Sequence, residues 1–407
     1  MSYLCPLPWM GFSNDPNGTV RPCCISKEHV IKEDKSPFYV QTDSVKDIFH
    51  SNHMKSLRRQ FLNGEKPKGC ITCWMDEENG YESKRQNYLK ISKDYELLGN
   101  DFDYNKTPEY PIDYQIILSN SCNLKCRSCD PTHSTLWTKE LLNLPDDVKQ
   151  VIDRWPYELP HGQSGDRKGK FFKEMNEWIP SVKRVEIVGG EPFYSKVWEN
   201  VWDSMIENNH SKDIVLNMST NGTIYNEELL IKLLENFKTV AIALSIDGLG
   251  NTYEYLRKGG VWSEVEDNLQ KFYNLKIKYP SKINFTYSHT TSWVNAFNLP
   301  EFFDYTNKHT PLFNKWINIV HFPYYMTMYM LPRKAKDILA EKWSKYNFKE
   351  YQKNTDALIK FMYSKQPSDE QIRDNYKRFT ILDKYREEST VDLMDEICPE
   401  LKEYFYD

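Results

Sequence analysis

Three of the nine cysteines, Cys122, Cys126 and Cys129, stand within eight consecutive positions, with polar residues between them. A C-x3-C-x2-C spacing makes a loop whose sulfurs can converge, and converging thiolates hold either zinc or an iron-sulfur cluster. Zinc would need a fourth ligand, which His133 could supply as a Cys3His set. A 4Fe-4S cube would instead take three irons on the three cysteines and leave the fourth iron open to a bidentate ligand.

A second set lies near the start: Cys5, Cys23, Cys24, Cys70 and Cys73. Asn17-Gly18 between two apolar stretches is a hairpin signal, because both residues tolerate positive φ. The hairpin carries Cys5 in on one side and Cys23 out on the other. Ser44 to Leu62 has helical spacing and stops at Asn63-Gly64, just before the Cys70-x2-Cys73 knuckle. Four thiolates from a hairpin and a knuckle make a closed ligand set for a structural zinc or a cluster.

The elements that must position these loops follow a rhythm. Short β-rich runs at Tyr114 to Leu118, Arg184 to Val188, Ile214 to Met218, Val240 to Ser245, Ile283 to Tyr287 and Trp316 to Val320 alternate with helical patterns such as Ser195 to Asn208 and Glu227 to Phe237. Such alternation predicts α/β architecture with a parallel sheet, and about six βα units fit a partial TIM-like barrel better than a closed eight-fold one. Chemistry in such barrels sits at the carboxyl ends of strands. The three cysteines follow the first run, Gly189-Gly190-Glu191-Pro192 the second, Ser219 to Gly222 the third and Ser245 to Gly248 the fourth. Each tip alone reads as a turn; their joint placement on one rim points to a site.

The cysteine triplet together with Gly189-Gly190-Glu191-Pro192 resembles the signature of the radical S-adenosylmethionine (radical SAM) enzymes. The resemblance implies a 4Fe-4S cluster on Cys122, Cys126 and Cys129, with S-adenosylmethionine (SAM) chelating the open iron. It assigns Gly189, Gly190, Glu191 and Pro192 to the methionine amino group, Ser219 and Asn221 to the ribose, and Ser245, Asp247 and Arg257 to further cofactor contacts, Arg257 as a partner of the SAM carboxylate. The fifth run carries no glycine where an adenine-contacting turn is common, so adenine contacts are untraced. The pattern C-x12-G-x4-C at Cys5, Gly18 and Cys23, followed by C-x2-C, resembles the SPASM and twitch auxiliary modules. That implies one auxiliary 4Fe-4S cluster on Cys5, Cys23, Cys70 and Cys73, with Cys24 and Cys398 left over. In most of that family this module follows the core, whereas here it precedes it. The implied activity is reductive cleavage of SAM to a 5'-deoxyadenosyl radical that takes hydrogen from a substrate. That substrate is a peptide or protein side chain or, alternatively, a small metabolite such as a sugar or nucleotide. The implied partners are an electron donor such as flavodoxin or ferredoxin and the substrate itself. The non-enzymatic alternative is a structural zinc protein.

At 407 residues the chain exceeds one ordinary core. The expected divisions are residues 1–100 as the cysteine-rich module, 109–330 as the partial barrel and 331–407 as a helical extension without catalytic residues. With 53 Lys plus Arg against 58 Asp plus Glu, the net charge of -5 leaves no basic footprint for nucleic acid. The start has no signal-peptide pattern and no stretch is long enough to span a membrane, so a cytoplasmic location is expected, where reduced thiols favour metal roles. Pro156 to Lys170 reads as a polar insertion, lid or decoration. Pro323 to Pro332 is a Met-rich connector best explained by packing.

Overall fold

The computed structural model describes residues 3–404 except 79, 100, 147, 150–168 and 322. The insertion expected at Pro156 to Lys170 therefore lies, up to residue 168, outside the described residues. One eight-stranded sheet organises the chain: β1 (Gly11–Asn14), β2 (Val20–Arg21), β3 (Asp113–Ile116), β4 (Arg184–Ile187), β5 (Val215–Thr220), β6 (Thr239–Ser245), β7 (Ile283–Thr291) and β8 (Asn314–Ile319), in the order β2-β1-β3-β4-β5-β6-β7-β8. Strands β3 to β8 are parallel throughout and match the six expected runs to within a few residues. They form a partial barrel.

Alternation along the strands separates two faces. Tyr114, Ile116, Val185, Ile187, Leu216, Met218, Val240, Ile242 and Leu244 are buried. On the covering helix Lys196–Glu207 the buried stripe is Trp198, Val201, Trp202 and Met205. Each such side chain contributes about 1.5–3 kcal/mol when fully buried. The opposite face is more accessible and polar. One register row runs Ser13, Gln115, Glu186, Asn217, Ala241, Asn284, and a higher one Ser245, Ser288, Trp316.

The N-terminal segment is not set apart from the barrel. Its hairpin forms as expected, with Gly18 at positive φ and Ser13 opposite Arg21. Strand β1 then pairs in parallel with β3, Phe12 opposite Tyr114 with ring centroids 5.5 Å apart. The pairing covers what would otherwise be an open edge of the parallel sheet. One hydrophobic cluster runs from Cys5 through the barrel to Leu401. The helix expected over Ser44 to Leu62 is two helices, Val45–Phe49 and Asn52–Leu62, because Ser51 accepts a hydrogen bond from Met54 N and caps a new start.

The C-terminal helices Arg333–Ser344, Gln352–Tyr363 and Asp369–Arg386 appear where the pattern placed them, joined by a further helix, Thr390–Ile397. The Met-rich connector is largely packing, with Met326 and Met328 buried. Tyr81 Oη donates to Ala357 O at 2.5 Å, so the N-terminal segment touches the tail directly. No helix among the described residues is long and apolar enough to cross a membrane.

Candidate active site

The loop carrying Cys122, Cys126 and Cys129 leaves the carboxyl end of β3 and is strapped down on both sides. Lys125 N donates to Lys258 O (3.0 Å) and Arg127 N to Leu256 O (2.8 Å), stitching it to the chain after helix Gly250–Leu256. From the other side Ser134 Oγ donates to Leu124 O (2.6 Å) and Trp137 Nε1 to Cys126 O (2.9 Å). The three thiols sit in one another's field. Burial pushes Cys122 up to about 11, with Cys126 adding to the shift, and raises Cys129 well above the usual thiol range, with Asp130, Cys126 and Cys122 adding. Burial also raises Cys126, where the Arg257 guanidinium opposes it. Buried thiols crowded in this way ionise only when a cation offsets their charge.

The other tips meet this loop. Gly190 N donates to His133 O (3.2 Å) and Glu191 N to Ser121 O (2.8 Å), so the second tip lies against the first. Glu191 is buried, and its carboxylate accepts from Thr220 Oγ1 (2.7 Å), Phe193 N (3.2 Å) and Asn221 N (2.6 Å). Burial raises it to about 7 despite those bonds. It ties the second tip to the third. Asn221 Nδ2 donates to Asn123 Oδ1 (2.9 Å), and Asn221 Oδ1 accepts from Thr223 N (3.0 Å) and Oγ1 (2.6 Å), so this side chain braces the cysteine loop. Asp247 accepts from Thr290 N (2.8 Å) and pairs with Arg257 Nη2 (2.7 Å). Arg257 in turn places Nη1 3.8 Å from Cys126 Sγ, and its buried Nε has no partner among the described residues. Ser219 and Ser245 stand half-buried on the polar face.

At the second cysteine set, Cys5, Cys23, Cys70 and Cys73 line one cavity together with Lys84 and Arg85. Burial pushes Cys23 and Cys70 up to about 12, and neighbouring thiols add to both. Cys24 is exposed, and Cys398 is buried in the tail with Sγ 3.4 Å from Glu400 Oε2. No group of three or more His, Cys, Asp or Glu side chains among the described residues is placed to hold a single metal ion. His133 directs Nδ1 onto Asp130 Oδ2 at 2.7 Å.

Two family models match this chain: the radical SAM superfamily over residues 116–293 and an iron-sulfur cluster-binding domain, SPASM, over residues 5–74. Residues 116–293 therefore carry a radical SAM domain. The chain is similar to a GTP 3',8-cyclase of Desulforamulus reducens, 24% identical over 223 residues that cover 54% of this chain and 57% of that protein. It thus spans well under two thirds of that relative's length. Among solved structures it is similar to anSMEcpe with bound AdoMet, at 20% identity and TM-score 0.37 over 57% of this chain and 58% of that one. It is also similar to Streptococcus suis SuiB bound to precursor peptide SuiA, at 14% identity and TM-score 0.34 over 72% of this chain and 60% of that one.

The site has features that suit a thiolate-held cluster and SAM. Two sets of crowded thiols need an offsetting positive charge, the unpartnered Nε of Arg257 beside Cys126 is a donor awaiting an acceptor, and the second tip has no room for side chains. A Cβ on Gly190 would lie 2.5 Å from Ser121 O, and one on Gly189 2.5 Å from Ile117 Cγ2, both at positive φ. Gly190→Ala is therefore expected to weaken SAM binding tenfold or more, since backbone strain alone is about 1–2 kcal/mol; isothermal titration of the reconstituted protein checks it.

Sequence reasoning passed over three residues here. Arg127, inside the triplet, is a buried ion-pair hub. Tyr253 has a buried hydroxyl without a partner among the described residues. His289 is 1% exposed, bonded to Thr291 Oγ1 at 3.0 Å, and burial holds it down to about 4. Its folded value lies below its unfolded value near 6.5, so the stability it contributes is present above 6.5 and lost as pH falls toward 4. That loss is about 2 kcal/mol between pH 7 and pH 5. Urea unfolding should show this loss in the wild-type protein and a smaller one in His289→Leu.

Proposed function

We propose that the protein reductively cleaves SAM and uses the resulting radical to abstract hydrogen from a peptide or protein side chain. The observation that carries this reading is the convergence, at the carboxyl ends of four adjacent strands, of three thiols, a pair of glycines without room for a Cβ and a buried guanidinium beside Cys126. When bound, a 4Fe-4S cluster and SAM supply a one-electron cleavage to methionine and a 5'-deoxyadenosyl radical. The chain supplies ligation, orientation and exclusion of water. Cys122, Cys126 and Cys129 would hold the cluster. Backbone groups of Gly189 and Gly190 would meet the amino group of SAM, and Arg257 its carboxylate. Glu191, Asn221 and Asp247 are consumed by protein partners, so they hold the tips in place, while Ser219 and Ser245 remain accessible for hydroxyl contacts. Cys5, Cys23, Cys70 and Cys73 would hold a closed auxiliary cluster suited to electron relay.

The auxiliary module and the polar inner face, with the exposed Trp316, favour an extended hydrogen-bonding substrate. Similarity to GTP 3',8-cyclase supports the second reading, a nucleotide-like metabolite. Either substrate requires a one-electron donor, such as flavodoxin or ferredoxin, and we place the protein in the cytoplasm, whose reducing poise keeps the thiols free. Iron, sulfide and zinc analysis of anaerobically purified protein, followed by incubation with dithionite and SAM, tests the reading. Iron with sulfide and formation of 5'-deoxyadenosine are expected. Zinc without sulfide would overturn it.

A further inference from the structure

Between the auxiliary thiols and the inner face of the sheet stands Lys84, the first residue of helix Lys84–Asp94. A reciprocal box fixes its backbone: Gln86 N donates to Ser83 Oγ (3.2 Å) and Ser83 N to Gln86 Oε1 (3.1 Å). The ammonium donates to Cys24 Sγ at 2.9 Å and to Gln115 Oε1 at 3.3 Å, and lies 5.0 Å from the centre of the Tyr88 ring. Lys84 lines the cavity of Cys5, Cys23, Cys70 and Cys73. It also lines a neighbouring cleft with Ser13 and Gln115 of the inner face.

Two cations border the auxiliary cavity, and they are not equivalent. Arg85 is matched by Glu77, which accepts from Nε at 2.8 Å and from Nη2 at 2.7 Å. Lys84 is bonded to a thiol and an amide, and the two carboxylates in its field, Glu186 and Asp113, are themselves held by Arg184 at 3.1 and 2.9 Å. The charge of Lys84 is thus far less locally offset. A cation in a poorly polarisable setting stabilises the more negative of two redox states of its neighbour. Reduction makes an iron-sulfur cluster more negative by one unit.

We propose that Lys84 is a positioning residue that raises the reduction potential of the auxiliary centre. The proposal rests on the four-cysteine assignment above. Its test uses the full chain carrying Cys122→Ala, Cys126→Ala and Cys129→Ala, so that the auxiliary centre alone gives an electron paramagnetic resonance signal during potentiometric titration. Adding Lys84→Met should lower the midpoint so that the reduced-to-oxidised ratio at fixed potential falls about tenfold, about 59 mV for a one-electron couple. Lys84→Arg should restore most of the shift. An unmoved midpoint at full iron and sulfide content would overturn the proposal. If Lys84→Met loses iron, Lys84→Gln is titrated instead. Loss of iron from both neutral variants would make the residue structural and overturn the proposal equally. Absence of iron and sulfide from the parent triple variant would overturn the four-cysteine assignment, and the role of Lys84 with it.

Discussion

The Cys126→Ala variant is expected to form no 5'-deoxyadenosine from SAM and reductant, with iron content falling to that of the auxiliary centre alone. Cys126 is the most deeply buried of the triplet, and its sulfur faces Arg257. The substitution removes one of three proposed iron ligands but none of the bonds that shape the loop, since those run through the backbone of Lys125, Arg127 and Cys126 itself. Arg257 keeps its ion pair to Asp247, so its charge is not stranded. The protein should therefore fold with near-wild-type thermal stability in the apo state, which separates loss of chemistry from loss of structure. Continued cleavage of SAM by this variant would sink the assignment of the triplet. Cys70→Ala is the matched control: it should lower iron content while leaving core-dependent cleavage of SAM detectable.

Much of this arrangement was legible because it is local. The hairpin at Asn17-Gly18, the six parallel strands and the placement of all four tips on one rim follow from short-range periodicity and turn chemistry. The pairing of β1 with β3 was not legible, because Phe12 and Tyr114 are brought together by the sheet edge and nothing beside either residue announces the other. The roles of Glu191, Asn221 and Asp247 were hidden for a related reason. A polar residue at a strand end looks like a ligand contact, and only the three-dimensional partners show that these side chains are already engaged. Ser51, by contrast, was a readable signal: a serine at the start of a periodic stretch caps a new helix. The tail was expected to carry no catalytic residues, and its ion pairs fasten it to the loop that bears the cysteine triplet.

That connection predicts a large effect on stability from a residue inside the triplet. Arg127, between Cys126 and Cys129, is 2% exposed and pairs with Asp383 and with Glu388 (2.5 Å), on the helix Asp369–Arg386 and just beyond it. Its guanidinium carbon lies 3.9 Å from the centre of the Tyr255 ring, and Nε donates to Tyr255 O at 3.2 Å. Nearby, Arg386 pairs with Glu140 at 2.5 Å, a second fastening of the same helix to the segment after the loop. Arg127→Met keeps much of the volume but strands the Asp383 carboxylate. Asp383 still accepts from Thr390 N (2.6 Å) and Tyr255 Oη (3.1 Å), while Glu388 keeps Lys258 (3.2 Å). Removing one partner of a buried ion pair costs about 3–5 kcal/mol, so the denaturant midpoint should fall accordingly. Proteolysis should open the turn at Glu387, where the backbone is left-handed, before the barrel is cut. Adding Asp383→Asn to Arg127→Met should recover part of the loss, because the stranded charge is then gone, and a double-mutant cycle measures the coupling. Unchanged stability in Arg127→Met would show that the tail merely covers the loop. A coupled loss of stability and of iron at the triplet would show that the tail sets the geometry in which Cys122, Cys126 and Cys129 meet.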